Sequence, residues 1–174
     1  IMSSDWSSDV CSSDLELKIS LQKAGITVLK NEVVEIQRRD RPTEADPHPL
    51  YLVGIGPHYP GKDQIREAFS NLPEGAPRIV LMHNPQSFQK IPAGEAPLAL
   101  AGHSHGGQIR LPYTPAWSWL SIVAEDEIHA DGWIQNYGQE GNRLYVNRGV
   151  GFSTLPIRIN CPPELTYFTL TGGG

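Results

Sequence analysis

Two short apolar runs each end in a histidine and a turn, and this constrains the fold more than any other feature. Ile79-Val80-Leu81-Met82 leads into His83-Asn84-Pro85, and Leu98-Ala99-Leu100-Ala101 leads into Gly102-His103-Ser104-His105-Gly106-Gly107. Apolar runs without polar alternation suit strands covered on both faces, as in parallel sheets flanked by helices. In such sheets ligand sites lie beyond the carboxyl ends of the strands. Neighbouring strands lie about 4.8 Å apart, so histidines at two such ends can converge on one point.

The remaining sequence agrees with a layered α/β architecture. Residues 15–24 have helical spacing, with Leu17, Leu21 and Ala24 on one face and Gly25 as C-cap. Residues 26–29, 33–36 and 50–55 read as strands, 63–72 as a helix, 78–82 and 98–101 as further strands. Pro85 suits the first position of a short helix running to residue 91. Beyond Gly107, residues 109–111, 132–135, 144–146 and 165–170 read as strands with little helix between them, which predicts a second sheet packed on the first. With 174 residues, 39% apolar and 19% charged, the chain has the length and composition of a soluble globular domain. It has no run of about 18 apolar residues to cross a membrane. Its formal charge of -5 argues against a nucleic-acid-binding face, which needs basic residues.

The start of the chain stands apart. Residues 5–15 read D-W-S-S-D-V-C-S-S-D-L, without helical or strand periodicity, and resemble a translated sequencing adapter. The expectation is that residues 1–15 are a disordered, artefactual leader, and that 16–174 are the C-terminal portion of a domain whose upstream part, with any signal or anchor, is missing. Excluding the leader removes Asp5, Asp9 and Asp14 and takes the charge from -5 to -2. It also removes Cys11, leaving Cys161. One cysteine builds neither a disulfide nor a thiolate cluster, so any metal here would need histidine and oxygen ligands. Cys161, in an apolar turn, reads as a small buried filler.

The glycines around His103 and His105 give the loop access to φ > 0 and close backbone approach. Two residues apart in an extended loop, both imidazoles would face one side, and two metals about 3.5–4 Å apart could take one imidazole each. His83 alone reads more readily as a polar cap on a strand than as a ligand. The three histidines in this order, each after an apolar strand, point to metal.

Gly102-His103-Ser104-His105-Gly106-Gly107-Gln108 resembles the G-H-T-H-G-G-Q block of calcineurin-like metallophosphoesterases, with Ser104 for the usual threonine, and His83 in L-M-H-N-P resembles the family's isolated upstream histidine. Asn147-Arg148-Gly149-Val150-Gly151, Leu155-Pro156-Ile157-Arg158 and Pro162-Pro163-Glu164 are similar to the bacterial YkuE/YaeI-like branch. The resemblance spans residues 25–170. It implies the C-terminal part of a four-layer αββα sandwich and hydrolysis of a phosphodiester or pyrophosphate by two divalent ions (Mn, Zn, Fe or Mg) sharing a bridging hydroxide. It implies that His83 and His103 bind one metal and His105 the other. In related branches the substrates are envelope or lipid-linked, including the lipid A precursor UDP-2,3-diacylglucosamine. A bacterial membrane or envelope location, reached through the lost N-terminus, is implied in the same way.

The family completes its site with an Asp-x-His, a bridging Gly-Asp and a Gly-Asn-His. The chain contains no Gly-Asp or Gly-Asn-His. Asp46-Pro47-His48 is a literal Asp-x-His, but it lies in a proline-rich polar loop after no strand and reads as a solvated turn. Three neutral imidazoles cannot replace the missing carboxylates, so this chain alone is expected to be inactive. Arg110, Asn147, Arg148 and Arg158 are candidates for contacting substrate phosphate, although strand-edge arginines look the same in sequence. His58 and His129 read as ordinary loop histidines. The aromatic stretch 113–122 suits core packing, or else a flap for a lipid tail. Two other readings are a non-catalytic binding module on the same fold and a single structural zinc on three histidines.

Overall fold

A computed structural model describes residues 10–36, 49–58, 61–112, 114–118, 131–153 and 155–171, with backbone only for 10–15 and 114–117. Among the described residues the elements are α1 (Val10–Lys23), β1 (Glu32–Ile36), β2 (Leu50–Gly54), α2 (Ile65–Phe69), β3 (Arg78–Leu81), a 3-10 helix (Pro85–Lys90), β4 (Ala99–Ala101), a 3-10 turn (His105–Gly107), β5 (Arg110–Leu111), β6 (Thr114–Ser118), β7 (Gly132–Ile134) and β8 (Leu144–Val146). Six strands form one mixed sheet in the order β1-β2-β3-β4-β8-β7, and β5 and β6 form a separate two-stranded one. Strands β2, β3, β4 and β8 are parallel neighbours, with β1 and β7 antiparallel at the edges. This is an α/β fold, as the apolar runs predict.

The parallel register explains where the core sits. Val53 stands opposite Val80, Val80 opposite Ala99, and Ala99 opposite Leu144. All four are fully buried, so one row of side chains crosses four strands on a single face. Phe88 and Ile91, from the 3-10 helix and its C-cap, and Ala96 and Ala68 cover the same core. The helix begins as Pro85 predicts, with a proline in its first turn.

The end of α1 also forms as predicted. Gly25 has φ +78; its N–H donates to Gln22 O at 3.0 Å, and Ile26 N–H donates to Leu21 O at 2.9 Å. This is a Schellman cap, which needs a left-handed residue at that point. The helix itself reaches back to Val10, ahead of its periodic stretch.

Three expectations are corrected. Residues 26–29 form no strand; after the cap they run as coil to Asn31. Strands β7 and β8 extend the first sheet instead of building a second one. Leu144 and Val146 are fully buried in the same core cluster as Phe88 and Ile91, so the 3-10 helix packs on β8 without a second sheet. Residues 165–170 alternate as a strand would, with Leu165 and Tyr167 outward at 92% and 91% exposure and Thr166 and Phe168 inward, yet they join no ladder. The inward side chains are held by side-chain contacts: Phe168 meets the Tyr145 ring edge-on at 5.2 Å and the Trp133 ring at 6.2 Å. Asp46, His48, His129 and residues 113 and 119–122 of the aromatic stretch lie outside the described residues. Among those described, no helix is long and apolar enough to cross a membrane.

Candidate metal-binding site

The ladder between β3 and β4 continues past both strands. Met82 N–H donates to Leu100 O at 3.0 Å, and Gly102 N–H donates to His83 O at 3.2 Å. His83 and His103 are therefore delivered side by side by backbone hydrogen bonds. Their rings meet edge to face with centroids 4.9 Å apart, and His83 Nε2 lies 3.1 Å from His103 Nδ1.

Both rings are held neutral. Burial lowers the His83 pKa, and the nearby His105 lowers it further. Burial pushes His103 down to about 4, helped by His83, His105 and His58. Burial also lowers His105, and the Arg158 charge adds to it, while a hydrogen bond with the Gly151 backbone works the other way. Neutral imidazole is the form that binds metals.

The loop carrying His103 and His105 is not extended. Ser104 is right-handed helical (φ -66, ψ -15), and residues 105–107 make a 3-10 turn. The histidines themselves take positive φ, 69 at His103 and 49 at His105, alongside Gly106 at 63 and Gly107 at 74. A left-handed conformation costs a residue with a Cβ roughly 1–2 kcal/mol, so the surrounding contacts must hold both in place. Gly106 and Gly107 are required for space as well. A Cβ at Gly106 would come 2.5 Å from Arg148 Cγ, and one at Gly107 would come 2.3 Å from Ser118 Cβ. Gly102 has neither a positive φ nor a close neighbour, so the freedom expected of it is unused.

Among the described residues no group of three or more His, Cys, Asp or Glu side chains is placed to hold a metal ion. His83 and His103 form a pair; His105 stands on the same turn, with its buried Nδ1 lacking a hydrogen-bond partner. Two ring nitrogens 3.1 Å apart have the spacing of ligands that each stand about 2.0–2.1 Å from one cation. The histidines thus fit a share of a divalent-metal site, and among the described residues there are too few donors for a whole one.

The predicted phosphate-contacting residues are committed to the protein. Buried Arg110 places Nη2 2.7 Å from Asp131 Oδ1. Arg148 Nε donates to Glu164 Oε2 at 2.7 Å. Asn147 Nδ2 donates to Thr166 Oγ1 at 2.7 Å. Arg158 donates to the carbonyls of His105, Arg148, Gly149 and Gly151. It thereby ties the histidine loop to residues 148–151, which no local pattern announces. Cys161 is buried and free, as expected, with Sγ 3.2 Å from Gly106 O.

His58, read from sequence as an ordinary loop histidine, is paired: its Nδ1 lies 2.8 Å from Asp63 Oδ2. That carboxylate, 2% exposed, also accepts from Ser87 Oγ at 2.8 Å and from Lys90 Nζ at 2.8 and 2.9 Å. The signal that could have found it is the apolar run of β2, which ends at Gly54, four residues before His58.

Comparison with known proteins bears on the same stretch. No family model matches the chain, and no solved structure matches it significantly. The chain is 36% identical over 152 residues to phosphodiesterase YaeI of Escherichia coli strain K12, covering 87% of this chain and 50% of that protein. It is 33% identical over 110 residues to the uncharacterized metallophosphoesterase YkuE of Bacillus subtilis strain 168, covering 63% and 36% respectively. It is 29% identical over 144 residues to the UDP-2,3-diacylglucosamine pyrophosphatase LpxG of Chlamydia trachomatis serovar D, covering 80% and 42%. The chain belongs to the calcineurin-like metallophosphoesterases, a family of metal-dependent phosphoester hydrolases. It spans half or less of the length of these curated relatives.

Proposed function

We propose that this chain supplies the histidine share of a two-metal site, in a longer protein that hydrolyses a phosphodiester or pyrophosphate. The observation that carries this is the neutral His83–His103 pair, 3.1 Å apart at adjoining parallel strand ends. His83 and His103 would hold one divalent cation, and His105, with its partnerless buried nitrogen, would serve a second. When bound, such ions supply Lewis-acid neutralisation of phosphoryl oxygens and an acidified water. The chain's own part is to present unprotonated imidazoles on a strained, well-anchored turn. The relative named for UDP-2,3-diacylglucosamine supports a lipid-linked phosphate ester as substrate class. Imidazoles alone bring no negative charge to a pair of dications, so the chain by itself is expected to turn nothing over.

The test joins the chain to the upstream sequence of its gene and measures manganese-dependent hydrolysis of bis(4-nitrophenyl) phosphate. Turnover is expected, and His103→Ala should lower it by at least about 100-fold while weakening metal binding. A protein that binds metal through these histidines and shows no turnover would overturn the reading in favour of a binding module.

A further inference from the structure

The turn that carries His105 is gripped by two guanidinium groups on successive carbonyls. Arg158 Nη1 donates to His105 O at 3.2 Å, and Arg110 Nε donates to Gly106 O. The two grips differ in what stands behind them. Arg110 is buried and leans on the Asp131 carboxylate. Among the described residues, the hydrogen bonds of Arg158 go to backbone carbonyls and the Cys161 sulfur. Its Nε donates to Gly151 O at 2.8 Å, and its Nη2 to Arg148 O at 2.8 Å and to Gly149 O at 3.2 Å. Nη1 also donates to Cys161 O at 3.3 Å and lies 3.7 Å from Cys161 Sγ. One planar fork thus fixes residues 105, 148–151 and 161 relative to one another.

His105 needs such a grip, because its φ of 49 is unfavourable for a residue with a Cβ. Its carbonyl also accepts from Cys161 Sγ at 3.4 Å. The ring is fixed from the same side. Its hydrogen bond with the Gly151 backbone favours the charged imidazole, which is the effect of a ring N–H donating to a carbonyl. Nδ1 has no hydrogen-bond partner, so the donor is Nε2, and Nδ1 keeps its lone pair. The acceptor, Gly151 O, is the carbonyl that Arg158 holds with both Nε and Nη2. Arg158 therefore reaches His105 twice, at its own carbonyl and through the group its ring bonds.

We propose that Arg158 is the positioning residue of His105: by fixing the His105 and Gly151 carbonyls it holds the turn in its left-handed conformation and leaves ring Nδ1 as the free acceptor for the second divalent cation. Arg158 acts through His105 and touches neither cation nor substrate. This is a different role from the phosphate contact that the sequence offers for it. Donors engaged with the carbonyls of residues 105, 148, 149, 151 and 161 do not reach a phosphate oxygen as well. The residue that orients a metal ligand through its other ring nitrogen governs tautomer and affinity together. This inference rests on the two-metal reading of the histidines.

The experiment records ring-nitrogen NMR spectra of the whole chain at about pH 8, where an ordinary imidazole is neutral, and titrates in zinc ions. Before zinc, His105 should show one tautomer, with its hydrogen on Nε2. Zinc should then move the ring signals of His83, His103 and His105. In Arg158→Gln the single tautomer of His105 should be lost, and its response should need at least about tenfold more zinc, while His83 and His103 respond as in the wild type. Arg158→Lys keeps the charge without the fork and should behave in the same way; amide spectra check the fold of both variants. A mixed tautomer at His105 in the wild type, or a hydrogen on Nδ1, would overturn the proposal with no variant needed. So would a wild-type zinc response of His105 in either folded variant, including one that instead binds inorganic phosphate more weakly. Those outcomes spare the two-metal reading. If zinc moves none of the three histidines in the wild type, both readings fall.

Discussion

At the carboxyl edge of the sheet, His83 and His103 are held by an unbroken backbone ladder. Among the described residues of 148–171, backbone pairing is sparse: Ile159 bridges to Gln108 and Arg110, and Glu164 N–H donates to Gly149 O at 3.1 Å. The ladder rests on a row of fully buried residues, Val53, Val80, Ala99 and Leu144, and its strands follow from apolar runs of four residues. The C-terminal stretch instead hangs on a few polar side chains. Glu164 accepts from Arg148 Nε at 2.7 Å, from Thr166 Oγ1 at 2.5 Å and from the Tyr145 hydroxyl. Arg158 ties the chain to itself through carbonyls of residues 105, 148, 149 and 151. The first region is stabilised by non-directional apolar burial, which tolerates small changes. The second depends on a handful of directional contacts, each of which matters singly.

The largest expected effect comes from breaking the first region. Phe88 is fully buried, its ring stacks with Tyr137 at 6.2 Å, and it lies so close to Gly138 that a Cβ there would come 2.4 Å from the ring. Phe88→Ala should cost about 3–5 kcal/mol, from lost burial and the cavity left behind. Urea unfolding measures it. A loss below about 1 kcal/mol would mean that the 3-10 helix does not close the core.

A smaller and more local effect should follow from Glu164. Burial alone would raise its pKa, but hydrogen bonds from Thr166, Tyr145 and Arg148 bring it down to about 2 from an ordinary 4.5. The folded pKa lies below the unfolded one, so the stabilisation is complete above about pH 4.5 and fades as pH falls towards 2. Glu164→Gln should cost about 2 kcal/mol at pH 7, leaving Arg148 with a neutral partner. Its cost should shrink as pH falls through that window. Hydrogen exchange should show residues 147–170 opening while β2, β3 and β4 stay protected. Equal loss of protection in both regions would mean that the two are one cooperative unit.

The same contrast decides what could be read from sequence. The apolar runs ending at His83 and His103 are local signals, and the sheet and the histidine pair follow from them. The strand-like alternation of residues 165–170 is local too, but it does not say whether a partner strand or side chains such as Tyr145 and Trp133 will satisfy it. The roles of Arg110, Arg148 and Arg158 depend on Asp131, Glu164 and carbonyls reached only after folding. Asn31 pins the His58 turn across 25 residues or more, and no spacing rule announces a contact of that range. The left-handed φ of His103 and His105 is a tertiary effect as well, since intrinsic preference would have assigned it to the glycines.

The smallest expected effect tests whether polar contacts matter singly everywhere or only where they are buried. Lys18 Nζ lies 3.4 Å from Glu32 Oε1 and links α1 to β1, with side chains 32% and 50% exposed. The ion pair of Arg148 with Glu164 is shorter, at 2.7 Å, and its side chains are 26% and 11% exposed. Water competes for both partners of the exposed pair, and holding two long side chains together costs rotamer entropy. Lys18→Ala should therefore change stability by less than about 0.5 kcal/mol, and that small change should vanish in 0.5 M salt. Thermal unfolding at low and high salt measures it. If the exposed pair costs as much as Glu164→Gln, then burial is not what distinguishes the two regions, and α1 is anchored to the sheet by charge.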